Sequence, residues 1–301
     1  AEAGQHRPGR VAGPADARVT VVPNVAIVTD STAYLPDDLV DRWGVRVVPV
    51  LVIVGGRGYE EGTQIQPWQV AEALREWKVI TTSRPTPADF SSVYAAAAHA
   101  GAEDIVSIHL SSDMSGTFES AVMAAAEAPV PVTVIDSRSV GMGLGFAVLA
   151  AAQAAAQGAD AGGVAQAARE VAAGAQLLFY VDTLEYLRRG GRIGATSAAV
   201  GTALRVKPLL QLTDGRVAPL EKARTATKAL ARLADLTVER IAGRQMDVAV
   251  QHLAAPERAQ ALADELGRRL GMSDILVNEV GAVVGAHVGP GMVSVSIAPR
   301  P

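Results

Sequence analysis

Cysteine is missing from all 301 residues, which removes disulfide scaffolds, thiol nucleophiles, iron–sulfur clusters and thiolate-bound zinc together. Aromatic residues are scarce, at 4%. The core must therefore come from Val, Leu, Ile and Ala, and platforms on which single-stranded nucleic acid could stack are few. Excess positive charge is lacking too: the net charge is −4, the wrong sign for gripping a phosphate backbone. The longest weakly polar run, 144–156, is mostly alanine and is interrupted by Gln153. It falls short of the roughly 20 apolar residues of a membrane span, so no transmembrane helix is expected. The opening AEAGQHRPGRVAGPADAR lacks the basic-then-apolar order of a secretory leader, and residues 1–22 read as a loose extension.

Catalytic signatures are equally thin. No Walker-type, G-x-S-x-G or H-E-x-x-H motif occurs. His6, His99, His109, His252 and His287 stand singly, without the spacing of metal ligands, so neither a metal nor a cofactor is expected. Gly141-Met142-Gly143-Leu144-Gly145 follows a strand-like run and opens a helix, but Phe146 sits where a dinucleotide fingerprint needs its third glycine. Close helix–strand packing is the commoner use of such glycines.

What is present is a chain 49% hydrophobic and 19% charged, rich enough in apolar matter for cores and long enough for two domains. From Val25, short β-branched runs alternate with alanine-rich helical stretches, the rhythm of an α/β fold with a parallel sheet. Strands are predicted at 25–30, 104–110 and 131–136, with a further extended run at 45–54 broken by Pro49. Helices are predicted at 35–44, 67–77, 118–128 and 146–157, and one more opens on Thr86-Pro87-Ala88-Asp89, a capping sequence. The composition shift at GADAGG (158–163) separates an N-terminal α/β domain, 23–160, from a C-terminal α/β domain, 161–301. In the latter, Asp214-Gly215 between two extended runs signals a hairpin, so its sheet is mixed. The fold class is α/β: a three-layer α/β/α domain with a parallel sheet, plus a second α/β domain with a mixed sheet.

Hydroxyl-rich loops gather at strand ends: 29–32, 111–117 and 136–137. In an open parallel sheet such ends face the ligand crevice. If the strands at 25–30 and 104–110 are neighbours, Ser115-Gly116-Thr117 meets that crevice at a helix N-terminus, which favours an anion. Ser115 or Thr117 equally suits a plain helix cap. Thr81-Thr82-Ser83-Arg84-Pro85 reads as a loop whose hydroxyls are not needed as caps, because Thr86 fills that role. Arg188, Arg189 and Arg192 form either a solvated basic loop or a docking point for a phosphate or an acidic partner. His287, flanked by glycines, reads as a loop residue.

Taken together, TDST (29–32), TTSRP (81–85), SSDMSGTFESA (111–121), VIDS (134–137), DTLEYLRRGGRI (182–193), VKPLL (206–210) and GAHVGPG (285–291) resemble the DegV family of fatty-acid-binding proteins, over residues 25–298. Two departures stand out. Arg84 replaces a more usual Gln, and ALRV (203–206) replaces an aliphatic-Ser-Ile stretch. The resemblance implies one long-chain fatty acid in a tunnel between two α/β domains, the second closing it. It implies that Thr82, Ser83, Ser115 and Gly116 hold the carboxylate, with His287 behind them. It further implies a cytoplasmic carrier without catalytic activity of its own, serving a separate fatty acid kinase that makes acyl phosphate. Arg192 would then serve docking or exchange.

Burying about 15 methylenes at roughly 0.8 kcal/mol each offers on the order of 12 kcal/mol before entropic costs, so the tail can supply affinity. The head group then sets orientation, and uncharged hydroxyl and amide donors suffice to hold a carboxylate. Met114, Phe118, Met142 and Ile193, beside the polar loops, are either tunnel-lining or ordinary core. The competing reading is a hydrolase or phosphotransferase acting on a small phosphorylated substrate, with Ser115 or His287 reactive. It requires a base within about 2.6–3.2 Å of the nucleophile and a third group orienting that base.

Overall fold

The computed structural model describes residues 24–76, 78–193 and 206–300. The expected extension 1–22, and all of the segment 203–206 but Val206, lie outside them. The chain starts with β1 (Val25–Asp30), a 3-10 turn (Ser31–Ala33), α1 (Asp37–Trp43) and β2 (Arg46–Val48). Pro49, which has no N–H to give a ladder, ends β2 and turns the chain out of its sheet. The rest of the broken run becomes β3 (Leu51–Val54), followed by β4 (Arg57–Glu60), α2 (Pro67–Arg75) and β5 (Ile80–Ser83). These strands form a separate antiparallel sheet in the order β4-β3-β5. Short length and weak alternation hide it in the sequence. Thr82 and Ser83, expected in a loop, therefore lie on a strand, with Thr82 paired to Val52.

Next come α3 (Pro87–His99), β6 (Asp104–His109), α4 (Thr117–Ala125), β7 (Val132–Asp136), α5 (Met142–Ala156) and α6 (Ala161–Gly174). The first sheet, β2-β1-β6-β7, is parallel throughout, so β1 and β6 are the anticipated neighbours. Alternation along the strands separates two packing faces. Val28, Val48 and Ile105 join Phe90, Tyr94 and Ala121 of α3 and α4, while Val25, Ile27 and Val106 join Leu144, Val148 and Val164 of α5 and α6. This is the expected α/β/α sandwich. Helix α5 begins at Met142 rather than 146, because glycine lets the helix approach the turn after β1: a Cβ at Gly145 would lie 2.9 Å from the Ala33 carbonyl oxygen. The α5–α6 layer also packs on the second sheet, with Ala147, Ala150 and Val171 meeting Ala298.

The remainder comprises β8 (Gln176–Tyr180), α7 (Glu185–Arg189), β9 (Lys207–Thr213), β10 (Arg216–Ala223), α8 (Ala226–Ile241), β11 (Met246–His252), α9 (Pro256–Leu270), β12 (Leu276–Glu279), α10 (Ala282–Val288) and β13 (Val293–Pro299). The second sheet runs β10-β9-β8-β13-β11-β12, antiparallel except for the β11–β12 pair. Asp214 and Gly215 turn the β9–β10 hairpin with φ of 51° and 76°, the left-handed pair such a turn demands. One face of this sheet carries Leu178, Tyr180 and Leu209 into the core with α8 and α9. The other face looks back toward the first half. The segments expected as loops at 186–194 and around 287 instead supply the short helices α7 and α10. Helix α10 rests on the small sheet, with Ala282, Val283 and Ala286 packed among Val50, Val52 and Leu74.

Candidate functional site

Between the inner face of the mixed sheet, α10, the small sheet and the starts of α4 and α5 lies a cavity of about 330 Å3. Strand alternation builds one wall: Leu177 and Phe179 of β8, Leu212 of β9 and Val217 of β10 point inward while the intervening residues face α8 and α9. Val283, Val284 and Val288 of α10 supply another wall. The lining is therefore largely aliphatic.

Polar groups concentrate where β5, the start of α4, the segment after α7, and α10 converge. Thr82 Oγ1 lies 2.9 Å from His287 Nε2. Ser115 Oγ lies 2.9 Å from Thr117 Oγ1, and the Ser115 N–H is already given to the Ser111 carbonyl. Exposed Ser83 leans its hydroxyl weakly toward the Arg84 carbonyl, at 3.4 Å. The Arg84 side chain lies across Gly116, where a Cβ would meet Nη1 at 2.3 Å. Arg192, half-buried, donates from Nε to the Met114 carbonyl at 3.2 Å and from Nη1 to that of Gly190. It has no carboxylate partner among the described residues.

The charge on this lining has one sign. Among the described residues Arg84 and Arg192 line it, and no Asp or Glu does. The head of the cavity thus differs from the uncharged nest that sequence reasoning anticipated. His287 adds no charge: burial, reinforced by the Arg192 guanidinium, pulls its pKa down from 6.5 to about 4. Its buried Nδ1 finds no hydrogen bond among the described residues. The glycine pair of RRGGR explains the ring's position, since a Cβ at Gly190 would come within 2.2 Å of Nδ1.

Helix α10 is held from behind by a second polar set. Glu61, 5% exposed, accepts from the Val283 N–H at 2.7 Å, the Tyr34 hydroxyl at 3.1 Å and the Ser31 hydroxyl. Burial raises its pKa from 4.5 to about 7, against those three hydrogen bonds, which favour the ionised form.

Of the residues singled out in the sequence, Thr82, Ser83, Met114, Ser115, Gly116, Arg192 and His287 border this one cavity. Phe118, Met142 and Ile193 are not among its lining residues. Phe118 is half-buried on α4, whose inward positions are Thr117, Ser120 and Ala121. Met142 is enclosed at the start of α5, its sulfur packed beside Gly145. Ile193 is core, bridged to Val217. Arg84, regarded in the sequence only as a departure, is the missed member of the site. Its signal was a cation beside two hydroxyls with no acidic neighbour in TTSRP.

Among the described residues a hydrolytic constellation does not assemble at this cavity. His287 meets Thr82 rather than Ser115, and no carboxylate orients its ring among the described residues. A serine–histidine–aspartate relay does exist elsewhere: Ser107 Oγ lies 2.7 Å from His109 Nε2, whose Nδ1 lies 3.0 Å from Asp30 Oδ2. All three are fully buried, and Tyr94 donates to Ser107 at 2.9 Å. The relay stitches β1 to β6. Among the described residues no His, Asp and Glu cluster could hold a metal, and no helix is long and apolar enough to cross a membrane.

The family model described as uncharacterised protein, DegV family, matches residues 24–300. A DegV domain-containing protein of Streptomyces coelicolor is 54% identical over 278 residues, covering 92% of this chain and 99% of that one. The solved structure of a DegV family protein from Thermus thermophilus, described as fatty acid binding, superposes with a TM-score of 0.86 at 36% identity, over 92% of this chain and 99% of that chain. DegV of Bacillus subtilis, described as a fatty acid binding protein, gives a TM-score of 0.84 at 30% identity with the same coverage.

Proposed function

The chain belongs to the DegV family, and from that premise we propose that it binds one long-chain fatty acid in the cavity between its two halves, residues 23–160 and 161–301. The observation that carries this reading is the pairing of a mostly aliphatic lining with charge of a single sign, supplied by Arg84 and Arg192 beside a hydroxyl cluster. A hydrocarbon tail gains from the first, and a carboxylate needs the second.

In this reading the Thr82 and Ser115 hydroxyls and the Gly116 backbone donate to the carboxylate, and Ser83 stands at the mouth. Neutral His287 holds Thr82 in position without competing for the anion. Arg192, already tethered by two carbonyls, turns its remaining donors to the head group and balances its charge. The family descriptions of the Thermus and Bacillus proteins as fatty acid binding support the ligand class. The protein acts as a cytoplasmic carrier with no chemistry of its own and presents the carboxylate to a separate kinase, which transfers phosphate from ATP to form acyl phosphate. Arg84, exposed at the mouth of the cleft, and half-buried Arg192 behind it are the groups such a partner would meet.

Native mass spectrometry of the purified protein offered palmitic acid should show one bound acid. A chain that stays empty overturns the reading. The Thr82→Ala, Ser115→Ala double variant should bind palmitic acid about tenfold or more weakly while melting where the parent does, since two hydrogen bonds to a charged group are lost. Unchanged affinity would place the head group elsewhere.

A further inference from the structure

The cavity has a polar feature that a saturated tail does not use. Gln251, on β11, is 1% exposed and lines the cavity. Its side-chain oxygen accepts the Met142 N–H at 2.8 Å, and that bond settles which way the amide faces, because an N–H can be met only by the oxygen. Gly141, with φ of 64°, lets the oxygen in close, 2.5 Å from where a Cβ would be. The amide is thereby held from behind, and Nε2 has no hydrogen-bond partner among the described residues.

Ser294, opposite Gln251 across the β11–β13 pair, lines the same wall. Its hydroxyl makes one marginal contact, 3.5 Å to the Gln251 carbonyl. None of these groups hydrogen-bonds to Thr82, Ser115, Arg192 or His287. The neighbouring lining is apolar, with Val140, Phe179, Val280 and Met292. A buried amide with two unused donors in an apolar wall wants an acceptor, and leaving it without one is unfavourable.

We propose that the acyl chain best suited to this cavity carries an oxygen, as a hydroxyl or oxo group, that accepts from Gln251 Nε2. A hydroxyl would in turn donate to Ser294 Oγ, and an oxo group would accept from it. The inference rests on the fatty-acid reading and specifies it: the carboxylate is held at the hydroxyl and guanidinium end, and Gln251 with Ser294 selects among tails.

The test compares stearic acid with its mono-hydroxy and mono-oxo derivatives, the substituent stepped along the chain, by competition binding to the full chain. At least one derivative should bind about threefold to tenfold tighter than stearic acid, the span of one net hydrogen bond. Gln251→Met should abolish that preference, every derivative then binding no tighter than stearic acid. Ser294→Ala, which does not touch the Met142 N–H, should reduce it and guards against a folding defect in the first variant. If stearic acid binds and every derivative binds equally or more weakly, the inference is overturned, and water is what satisfies the amide. Survival of the preference in both variants overturns it as well. A chain that binds none of the acids brings down the fatty-acid reading itself.

Discussion

Glu61 is a carboxyl with three donors aimed at it and almost no contact with water. Its pKa of about 7, against 4.5 ordinarily, means that the native state keeps a proton the unfolded chain has released. Stability from this group is therefore full below about pH 4.5 and declines as pH rises through about 7. His287 works in the opposite sense: with its pKa lowered from 6.5 to about 4, it withdraws stability as pH falls through that interval. Subtracting one protein's unfolding curve from another's cancels the histidine. Glu61→Gln should be more stable than the parent at alkaline pH, by on the order of 3 kcal/mol at most, with the difference vanishing in acid. Urea unfolding across the pH range measures this, and a constant difference would show that Glu61 does not titrate there. The two guanidiniums also separate at this scale. Arg192→Gln should weaken palmitic acid binding about tenfold to a hundredfold, and Arg84→Gln less than about threefold, because only the half-buried cation is poorly screened. Equal effects in a binding titration would mean that the carboxylate sits at the mouth.

At the scale of elements, legibility followed the strength of local signals. Thr86 and Asp89 exchange both hydrogen bonds of a capping box, as their spacing promised, and Asp214-Gly215 turns its hairpin. The segments 80–83, 185–189 and 282–288 were misread as loops because they are too short for periodicity to show. Their structure comes from tertiary partners: β5 from pairing with β3, and α10 from Glu61 at its start and the small sheet beneath it. The residues proposed for the head group were legible only as fragments of a family series, since no local rule links Thr82 to a histidine 205 positions away. Arg84 and Gln251 passed unread because their meaning lies in what surrounds them. The seating of α7 against α10 gives this scale its own prediction. Gly190→Ala drives a methyl group into the His287 ring and should lower stability by about 1–3 kcal/mol. It should also weaken palmitic acid binding. A variant with unaltered melting and affinity would show that the two helices separate without consequence.

For the molecule as a whole, a ligand that binds only the native state adds RT ln(1 + [L]/Kd) to stability, about 2.7 kcal/mol at a hundredfold excess over Kd. Palmitic acid should accordingly raise the urea midpoint of the parent and leave that of the Thr82→Ala, Ser115→Ala variant nearly unmoved. An equal rise in both would reveal nonspecific adsorption of the acid. The α/β/α sandwich and the mixed sheet were readable from hydrophobic rhythm, because each buries a regular face. Their relation to one another was not, since it depends on the alanine-rich α5–α6 layer serving both sheets.

The histidine of the cavity is encoded near the C-terminus, yet its helix sits on a ledge made by residues 50–83 and is pinned by a carboxyl at position 61. Cut the gene anywhere in GADAGG and express the pieces apart, and neither polypeptide owns a binding pocket. Mixed together, they should regain one only by docking, so that uptake of a lipid would report reunion of the severed chain.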